Sequence, residues 1–348
     1  ARPSAMQRME TLEWSARLHG LCSRVRAAAR AALERAARQG RLEELARPVR
    51  QGAGDVTYAL DEESERAVEA WLAETARERP LSLLTEDSGW RHCGPGTGGA
   101  PRELAGFDHG GPRIALDPID GTRNLMADLR SAWTVVSCAG PGNGVPRLGE
   151  LEMGIVSEVP DSRAARYRVL GAGRGGGCSF ELRTLEGDEE LERRVLRADA
   201  DDRADRGYFP FFRYLPEQRP ELARLEARFF GRLAEREGAR VRDCYDDQYI
   251  SNGGQLVLLA LGTYRMVVDI RGMVAKKVGG PAVTAKPYDL AGAVLCAREA
   301  GCVVTAPDGD ELDFPMDCET PVDWVGWVNA ATAERLGPHL RAALAEGS

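Results

Sequence analysis

The chain has 348 residues, of which 43% are hydrophobic and 29% are charged, a composition typical of a globular protein with one large domain or two. Its 46 basic and 54 acidic residues give a formal net charge of -8, which argues against a nucleic-acid-binding protein, since such proteins need a basic face. The longest purely apolar run, residues 256–261, is far too short to span a bilayer. We therefore expect neither a nucleic-acid partner nor a membrane partner.

The first residues and the cysteines bear on the compartment. Residues 1–13 are polar and interrupted by charges, so we expect no secretory leader. The eight cysteines are scattered and form no CxxC pair, which indicates reduced thiols. None of the four histidines is spaced to assist a cysteine, so a zinc site is not expected. These observations predict a cytoplasmic protein.

The first half of the chain is predicted to be α+β. Helical spacing of apolar residues predicts one or two helices over residues 11–45, and opening acids favour a helix over residues 61–77. Short apolar runs predict strands at residues 81–85, 113–116, 133–139, 154–159 and 165–170. Glycine and proline predict a loop over residues 94–111 and a turn over residues 171–177.

The second half alternates helix and strand, as α/β proteins do. The predicted helices are residues 221–237, 254–261 and 289–300, the predicted strands are 240–244, 264–270 and 302–305, and a loop connects residues 271 and 289. The highly charged segment 182–206 is interpreted as the boundary between the halves. We predict an N-terminal domain of residues 1–184 and a C-terminal domain of residues 185–348.

Residues 117–122 read DPIDGT and form the most informative pattern in the chain. Asp117 closes a predicted strand, and Pro118 stops the ladder and turns the chain. Asp120 follows three residues later, so both carboxylates can face one cavity, while Gly121 and Thr122 can offer backbone amides to an anion. Hard oxygen ligands beside an anion cradle are typical of magnesium-assisted phosphoryl chemistry. The alternative is that the two aspartates only cap a helix and a turn.

Three other segments change the balance between these explanations. They are TED at residues 85–87, YDLAG at residues 288–292 and EAGC at residues 299–302. In this order, with DPIDGT, they resemble the signature of the magnesium-dependent, lithium-sensitive inositol monophosphatase superfamily. That superfamily includes fructose-1,6-bisphosphatases and 3'(2'),5'-bisphosphate nucleotidases. The likeness covers residues 54–309, and VDIR at residues 268–271 resembles the archaeal-type fructose-1,6-bisphosphatase/inositol monophosphatase branch.

The resemblance implies a fold, an assembly and a set of site residues. The fold would be α+β or α/β, a layered αβαβα sandwich of the sugar-phosphatase type, and the chain would form a homodimer. Two or three Mg²⁺ ions would be held by Glu86, Asp117, the carbonyl of Ile119, Asp120 and Asp289, with Asp55 as a further candidate. Glu86 and Thr122 would orient and activate the attacking water, and the amides of Gly121 and Thr122 would hold the phosphate.

The segment between Arg271 and Asp289 departs from the family pattern. It is longer than in the archaeal-type pattern, and it contains Lys276, Lys277 and Lys286, which are all the lysines of the chain. We predict that Lys276 and Lys277 bind a second anionic group of the substrate as point charges, although a solvated loop is the ordinary explanation of such a cluster. Arg271 could contact a sugar phosphate or form a structural salt bridge.

The sequence predicts a phosphoric monoester hydrolase that uses Mg²⁺ to hydrolyse a small phosphorylated sugar or polyol. Inositol-specific members of the family carry a glutamate about seven residues before the helix aspartate, where this chain has Ala282, which argues against a dedicated inositol monophosphatase. The alternative within enzymes is a 3'(2'),5'-bisphosphate nucleotidase. The alternative of another class is a non-catalytic sensor of a phosphorylated ligand, which should have lost at least one of the four acids.

Overall fold

The computed structural model describes residues 5–51, 56–238, 242–280 and 283–346. Its helices are α1 (Ala5–Gln39), α2 (Ala59–Ala76), α3 (Thr122–Met126), α4 (Arg219–Glu237), α5 (Asn252–Ala260), α6 (Arg271–Val278), α7 (Pro287–Ala300) and α8 (Ala330–Ala345). Its strands up to the middle of the chain are β1 (Pro48–Gln51), β2 (Val56–Tyr58), β3 (Leu81–Thr85), β4 (Gly89–Pro95), β5 (Pro101–Glu103), β6 (Arg113–Asp120), β7 (Ala132–Ala139) and β8 (Leu151–Val159). The remaining strands are β9 (Arg166–Gly173), β10 (Gly177–Thr184), β11 (Glu190–Leu196), β12 (Gly207–Tyr208), β13 (Cys244–Tyr245), β14 (Met266–Asp269), β15 (Val303–Thr305) and β16 (Trp324–Trp327).

A nine-stranded sheet forms the centre of the molecule, with the strand order β11-β10-β9-β8-β7-β6-β3-β4-β5. Its pairings are antiparallel except for the parallel pair of β3 and β6. Helices α1 and α2 pack on one face of this sheet, and α5 and α7 pack on the other. Each face buries a separate cluster of apolar side chains, as expected for a sheet whose two faces are both covered by helices.

A second, three-stranded sheet of order β14-β16-β15 lies beyond α5 and α7, which contact both sheets. Helix α8 contacts the outer side of this small sheet and packs against α4. The succession is helices, large sheet, helices, small sheet, helices. The predicted αβαβα sandwich is therefore confirmed.

Helix α7 contacts the large sheet backbone to backbone. A Cβ atom at Gly292 would lie 2.1 Å from the carbonyl oxygen of Val136, and one at Gly154 would lie 2.4 Å from the carbonyl oxygen of Gly292. Real Cβ atoms do not approach backbone so closely, so only glycine fits at both positions. This contact fixes the position of Asp289, which lies one turn before Gly292 on the same helix.

Three predicted connections contain regular structure instead. The loop over residues 94–111 includes β5, and the charged segment 182–206 includes β11, whose Arg193 pairs with Glu181 of β10. The segment between Arg271 and Asp289 begins with α6, which ends at Gly279 in the left-handed conformation and carries two lysines in its last turn. A left-handed glycine and basic residues in the last turn both stabilise a helix end. The cluster of lysines nevertheless led to the prediction of a loop here.

Most other predicted helices and strands are present with shifted ends, for example residues 61–77 as α2 and residues 113–116 as the longer β6. The predicted strand 240–244 lies partly outside the described residues, and β13 covers Cys244–Tyr245. The domain boundary at residue 184 remains a prediction, and β11, beyond it, pairs with β10. Among the described helices, none is both long enough and apolar enough to cross a membrane.

Candidate active site

A cavity of about 360 Å³ opens where the ends of β3 and β6 meet the first turns of α2, α3, α5 and α7. All four acids that the sequence predicts for the first coordination sphere line it, namely Glu86, Asp117, Asp120 and Asp289. Ile119, Gly121 and Thr122 line it as well. The ladder between β6 and β7 shifts its register between Asp117 and Asp120, and both aspartates line the cavity from this irregular end of β6. Asp55 lies outside the described residues.

Asp120 connects the end of β6 to the start of α5. Its carboxylate accepts hydrogen bonds from the Ser251 hydroxyl at 2.7 Å, the Gly253 amide at 2.6 Å and the Asn252 amide at 3.1 Å. The first amides of a helix lack partners within the helix and carry partial positive charge. Asp120 therefore caps α5 while it lines the cavity.

The acids of the cavity oppose one another's ionisation. Desolvation raises the pKa of Asp117 well above its ordinary value, and the charges of Asp120, Asp289 and Glu86 raise it further. Desolvation and the charge of Asp120 also raise the pKa of Asp289. Desolvation raises the pKa of Asp120 to about 6 in spite of its three hydrogen bonds. The negative charges of such a cluster repel one another, and a bound cation would offset this repulsion.

Thr122 forms a second connection, between α3 and α2. Its Oγ1 lies 2.8 Å from Oδ1 of Asp61 and 2.9 Å from the carbonyl oxygen of Ile119. The other carboxylate oxygen of Asp61 accepts the amide of Tyr58 at 2.8 Å and so closes the first turn of α2. The sequence places Asp61 at the start of a predicted helix and at the end of residues 54–61, which resemble the superfamily's loop for a third metal, but it predicts no role for this side chain. The signal that could have pointed to it is its position three residues after a strand end, beside the predicted site.

Gly121 is the helix-start residue of α3 and has a φ of +100°. A Cβ atom there would also lie 3.0 Å from the carbonyl oxygen of Ile250. Both the backbone conformation and the space therefore require glycine. Gly121 lets the chain turn sharply after Asp120, which brings Thr122 to the cavity.

Arg271 lines the cavity from α6. Its guanidinium is buried and donates two hydrogen bonds of 2.8 Å to Asp269, and it stacks over the ring of Phe212 at 4.7 Å. The structural salt bridge, one of the two alternatives for this residue, is therefore present. The same side chain still borders the cavity, so contact with a substrate remains a prediction.

The two lysines of α6 lie elsewhere. Lys276 and Lys277 are exposed and line a separate pocket of about 370 Å³, in which Lys277 Nζ lies 2.8 Å from Glu221 Oε1. Neither belongs to the lining of the acidic cavity. The loop from which we predicted their contact with substrate is a helix, and this helix turns them away from the cavity.

The cavity suits a divalent cation in its chemistry. Its donors are carboxylate and carbonyl oxygens, which are the ligands that Mg²⁺ prefers, and their mutual repulsion needs a positive charge. Within the described part of the chain, however, no three His, Cys, Asp or Glu side chains are already arranged as a metal site. Both oxygens of Asp120 accept hydrogen bonds from the start of α5.

Several solved structures have a fold similar to that of this chain. The chain resembles the fructose-1,6-bisphosphatase of Leishmania major (13% identity, 94% of each chain covered, TM-score 0.64). It also resembles the Thermotoga maritima IMPase (16% identity, 97% of this chain and 100% of that chain, TM-score 0.57). A third is the inositol monophosphatase-fructose 1,6 bisphosphatase MJ0109 gene product (14% identity, 94% of this chain and 99% of that chain, TM-score 0.58).

No protein-family model matches the sequence, and no curated protein sequence matches it. At such low identities the structural likeness concerns the arrangement of helices and strands. It covers nearly the whole chain, and it is found in several proteins with related descriptions. The chain therefore has the fold of the inositol monophosphatase superfamily.

Proposed function

We propose that this protein is a Mg²⁺-dependent phosphomonoesterase that hydrolyses a small phosphorylated sugar or polyol. The observation that carries the proposal is the cavity lined by Glu86, Asp117, Asp120 and Asp289 beside Thr122, in which desolvation and the charges of the neighbouring acids raise the pKa of Asp117 and of Asp289. Four acids gathered against their own repulsion need a cation. The volume of about 360 Å³ suits a small-molecule ligand.

The residues of the chain divide the work between binding and proton transfer. Glu86, Asp117, Asp120, Asp289 and the carbonyl of Ile119 would hold the ions. Bound Mg²⁺ would supply charge neutralisation at the phosphate and activation of the attacking water. The amides of Gly121 and Thr122 would donate to the phosphate oxygens.

Asp61 and Thr122 form a proton path. The hydroxyl of Thr122 donates its hydrogen to Asp61, 2.8 Å away. The lone pairs of Thr122 Oγ1 can then accept a hydrogen bond from a water on the other side. A water that donates to Thr122 Oγ1 is thereby oriented, and its proton can pass through the hydroxyl to Asp61. Glu86, at the end of β3, would accept the second hydrogen of the same water.

A bisphosphate nucleotidase remains the second candidate, and an aromatic wall favours it. Tyr58, Phe212, Tyr214 and Tyr288 line the cavity. Aromatic faces can stack on a nucleobase. One structural neighbour is a staphylococcal IMPase-II with bound 2'AMP (15% identity, TM-score 0.54). Arginines already lie over three of these rings, Arg271 over Phe212 and Tyr214 and Arg123 over Tyr58 and Tyr214. This occupation of the rings favours the sugar phosphate.

Phosphate release decides between these functions. We would measure it with Mg²⁺ and with EDTA for fructose 1,6-bisphosphate, inositol 1-phosphate, adenosine 3',5'-bisphosphate and several other sugar phosphates. Release that requires Mg²⁺ and disappears in Asp120→Asn supports the phosphatase, and the preferred compound identifies the branch. A folded protein that binds Mg²⁺ but releases phosphate from no compound would contradict the proposal and favour the sensor.

A further inference from the structure

A second cavity of about 370 Å³, which we call the α6 pocket, lies between α4, α6 and α8. No residue lines both this pocket and the acidic cavity. Among the described residues its lining has five apolar side chains, three basic ones and one acid. Its volume falls within the range of roughly 300–1,000 Å³ that is typical of small-molecule sites. The α6 pocket is therefore a separate candidate for a ligand.

The apolar side chains of the α6 pocket are aliphatic or thioether groups. Leu225, Ile270 and Val274 are at most 5% exposed and lie deep, whereas Met273 is 41% exposed and lies nearer the solvent. Methionine is flexible and fits ligands of irregular shape. No aromatic ring of the described residues lines this pocket, in contrast with the acidic cavity. The lining therefore suits an aliphatic chain better than a flat ring.

The charged side chains give the α6 pocket an excess of positive charge. The lining contains Arg228, Lys276 and Lys277, and Glu221 is the one acid that the described residues contribute. Lys277 and Arg228 both pair with Oε1 of Glu221, at 2.8 Å and 3.6 Å. Lys276 is exposed, and no carboxylate of the described residues pairs with it. In a chain with a net charge of -8, this local positive charge favours an anion.

We propose that the α6 pocket binds an amphipathic anion, which consists of an aliphatic chain and a carboxylate or phosphate head. The chain would lie against Leu225, Val274 and Met273, and the head would lie beside Lys276. Lysine binds such a head as a point charge. A cation of the same length would be repelled by the three bases, and a neutral alcohol would gain only the apolar contact.

Hydrogen bonds between elements hold the walls of the α6 pocket in place. Arg228 Nε donates to the carbonyl oxygen of Ala343 at 3.0 Å, which joins α4 to α8. The amide of Gly272 donates to Asp323 Oδ1 at 2.7 Å, which holds the first turn of α6. Exposed lysines usually belong to a solvated face, but a pocket with fixed walls costs little to organise when a ligand enters. These fixed walls distinguish the α6 pocket from an ordinary charged surface.

Isothermal titration calorimetry of the full chain in EDTA tests the proposal. The probes are octanoate, octyl phosphate, octylamine and 1-octanol, each below the concentration at which it aggregates. We expect one site per chain for at least one of the two anions, with a Kd at least tenfold lower than that of octylamine or octanol. The anion that binds more tightly identifies the head, and removing two methylene groups from it should raise the Kd roughly tenfold. Because the measurement is made without Mg²⁺, it does not depend on the proposed phosphatase function.

Two variants locate the site. Lys276→Glu reverses the charge beside the head, and Met273→Asp places a carboxylate against the chain. Both positions are exposed, so we expect both variants to fold, which circular dichroism checks, and the Kd of the anion to rise at least tenfold in each. Arg38→Glu, at an exposed position on α1, is the matched charge reversal that should leave the Kd unchanged.

Saturable binding of an anion that both variants weaken and the control does not would support the proposal. The absence of saturable binding for both anions, an equal affinity for octylamine, or an affinity unchanged in both variants would overturn it.

Discussion

The hydroxyl of Thr122 has two acceptors within reach and one proton to give. Asp61 is the nearer, at 2.8 Å, and the carbonyl of Ile119 lies at 2.9 Å. Asp61 is itself held by the Tyr58 amide, so its carboxylate cannot turn away. The geometry of the pair is therefore fixed in the absence of a substrate, as the proposed proton path requires.

Removal of this pair should reduce turnover and spare binding. Thr122→Val keeps the shape of the side chain and loses the hydroxyl, and Asp61→Asn loses the proton acceptor. For both we expect kcat to fall about 100- to 10,000-fold, the usual range for acid–base assistance, with KM changed little. Steady-state kinetics on the best substrate measures this. A variant that raises KM alone would show that the pair serves binding.

For the exposed lysines of α6 we expect almost no effect on the kinetics. Lys276 and Lys277 lie in a separate pocket, so the double variant Lys276→Ala/Lys277→Ala should leave kcat and KM within about twofold of the unmodified protein, because surface charges outside a site act weakly. The kinetics should be compared for a bisphosphate and a monophosphate. A KM that rises selectively for the bisphosphate would restore the original prediction that these lysines bind a second anionic group.

Sequence predicted the acids of the site better than their partners. Asp117, Asp120 and Asp289 stand in local motifs, and the structure brings them together with Glu86 in one cavity. Asp61 could not be identified in this way, because its contact with Thr122 joins residues 61 positions apart. Nor could the motif show that Asp120 accepts hydrogen bonds from the start of α5.

At the scale of elements, the contact of α7 with the large sheet governs the site. A Cβ atom at Gly292 would lie 2.1 Å from the Val136 carbonyl oxygen. We expect Gly292→Ala to displace α7 and to reduce the free energy of unfolding by about 1–3 kcal/mol, as overpacked cores do. Because Asp289 moves with the helix, phosphate release should fall as well.

A matched glycine controls for this change. Gly231 lies within α4, and a Cβ atom there would meet nothing within 4 Å. Gly231→Ala should therefore stabilise the protein by about 0.5–1 kcal/mol through helix propensity. Urea unfolding measures both variants. Equal effects at the two positions would show that the close backbone contact has no energetic importance.

A hydrogen-bonded chain joins β3, β4 and the segment before β6. Ser82 Oγ lies 2.8 Å from His92 Nδ1 and 2.7 Å from His109 Nε2, and His109 Nδ1 accepts the amide of Gly111. Since His109 Nδ1 is an acceptor, its proton is on Nε2 and is donated to Ser82, which in turn donates to His92. The bond from Gly111 requires a neutral His109 and the bond from Ser82 requires a neutral His92, because in each of them a ring nitrogen is the acceptor.

These two histidines should therefore contribute a loss of stability on acidification, opposite in sign to the contribution of the cavity acids, whose pKa values are raised. Desolvation lowers the pKa of His92 and of His109 in the folded state. A depressed pKa means that the unfolded chain binds the proton more tightly, so this contribution is present above about pH 6.5, the unfolded value, and is lost as pH falls through the folded values. Urea midpoints between pH 5 and 8 should decline less steeply in His92→Gln/His109→Gln. An unchanged slope would contradict this assignment.

Elements whose patterns are local were predicted well, and those stabilised by partners were not. The apolar run of β3 and the opening acids of α2 identify these elements directly. Strand β11 reads as a polar linker, because its regularity comes from pairing with β10 and from ion pairs such as Arg193 with Glu181. Helix α6 has little apolar periodicity. The features typical of a helix are confined to its end, where two lysines precede the left-handed Gly279.

For the whole molecule, the repulsion within the acidic cavity links stability to cation binding. We expect millimolar Mg²⁺ to raise the melting temperature, because an ion that binds only the folded state adds about 2.7 kcal/mol at a concentration of 100 times its Kd. Asp120→Asn should abolish most of this increase. Differential scanning calorimetry in EDTA and in Mg²⁺ measures it. An equal increase in the variant would mean that the ion binds elsewhere.

The backbone contact between α7 and the large sheet also restricts how the molecule can move. Helix α7 packs on both sheets, and at Gly154 and Gly292 no layer of side chains separates it from the large sheet. Hinge and shear motions need packed side chains that can slide or a few residues that can absorb rotation. Helix α7 and the large sheet are therefore expected to move together. If the proposed function is correct, entry of substrate and departure of phosphate would depend on the segments at the cavity rim, because loop motions are faster than domain closure.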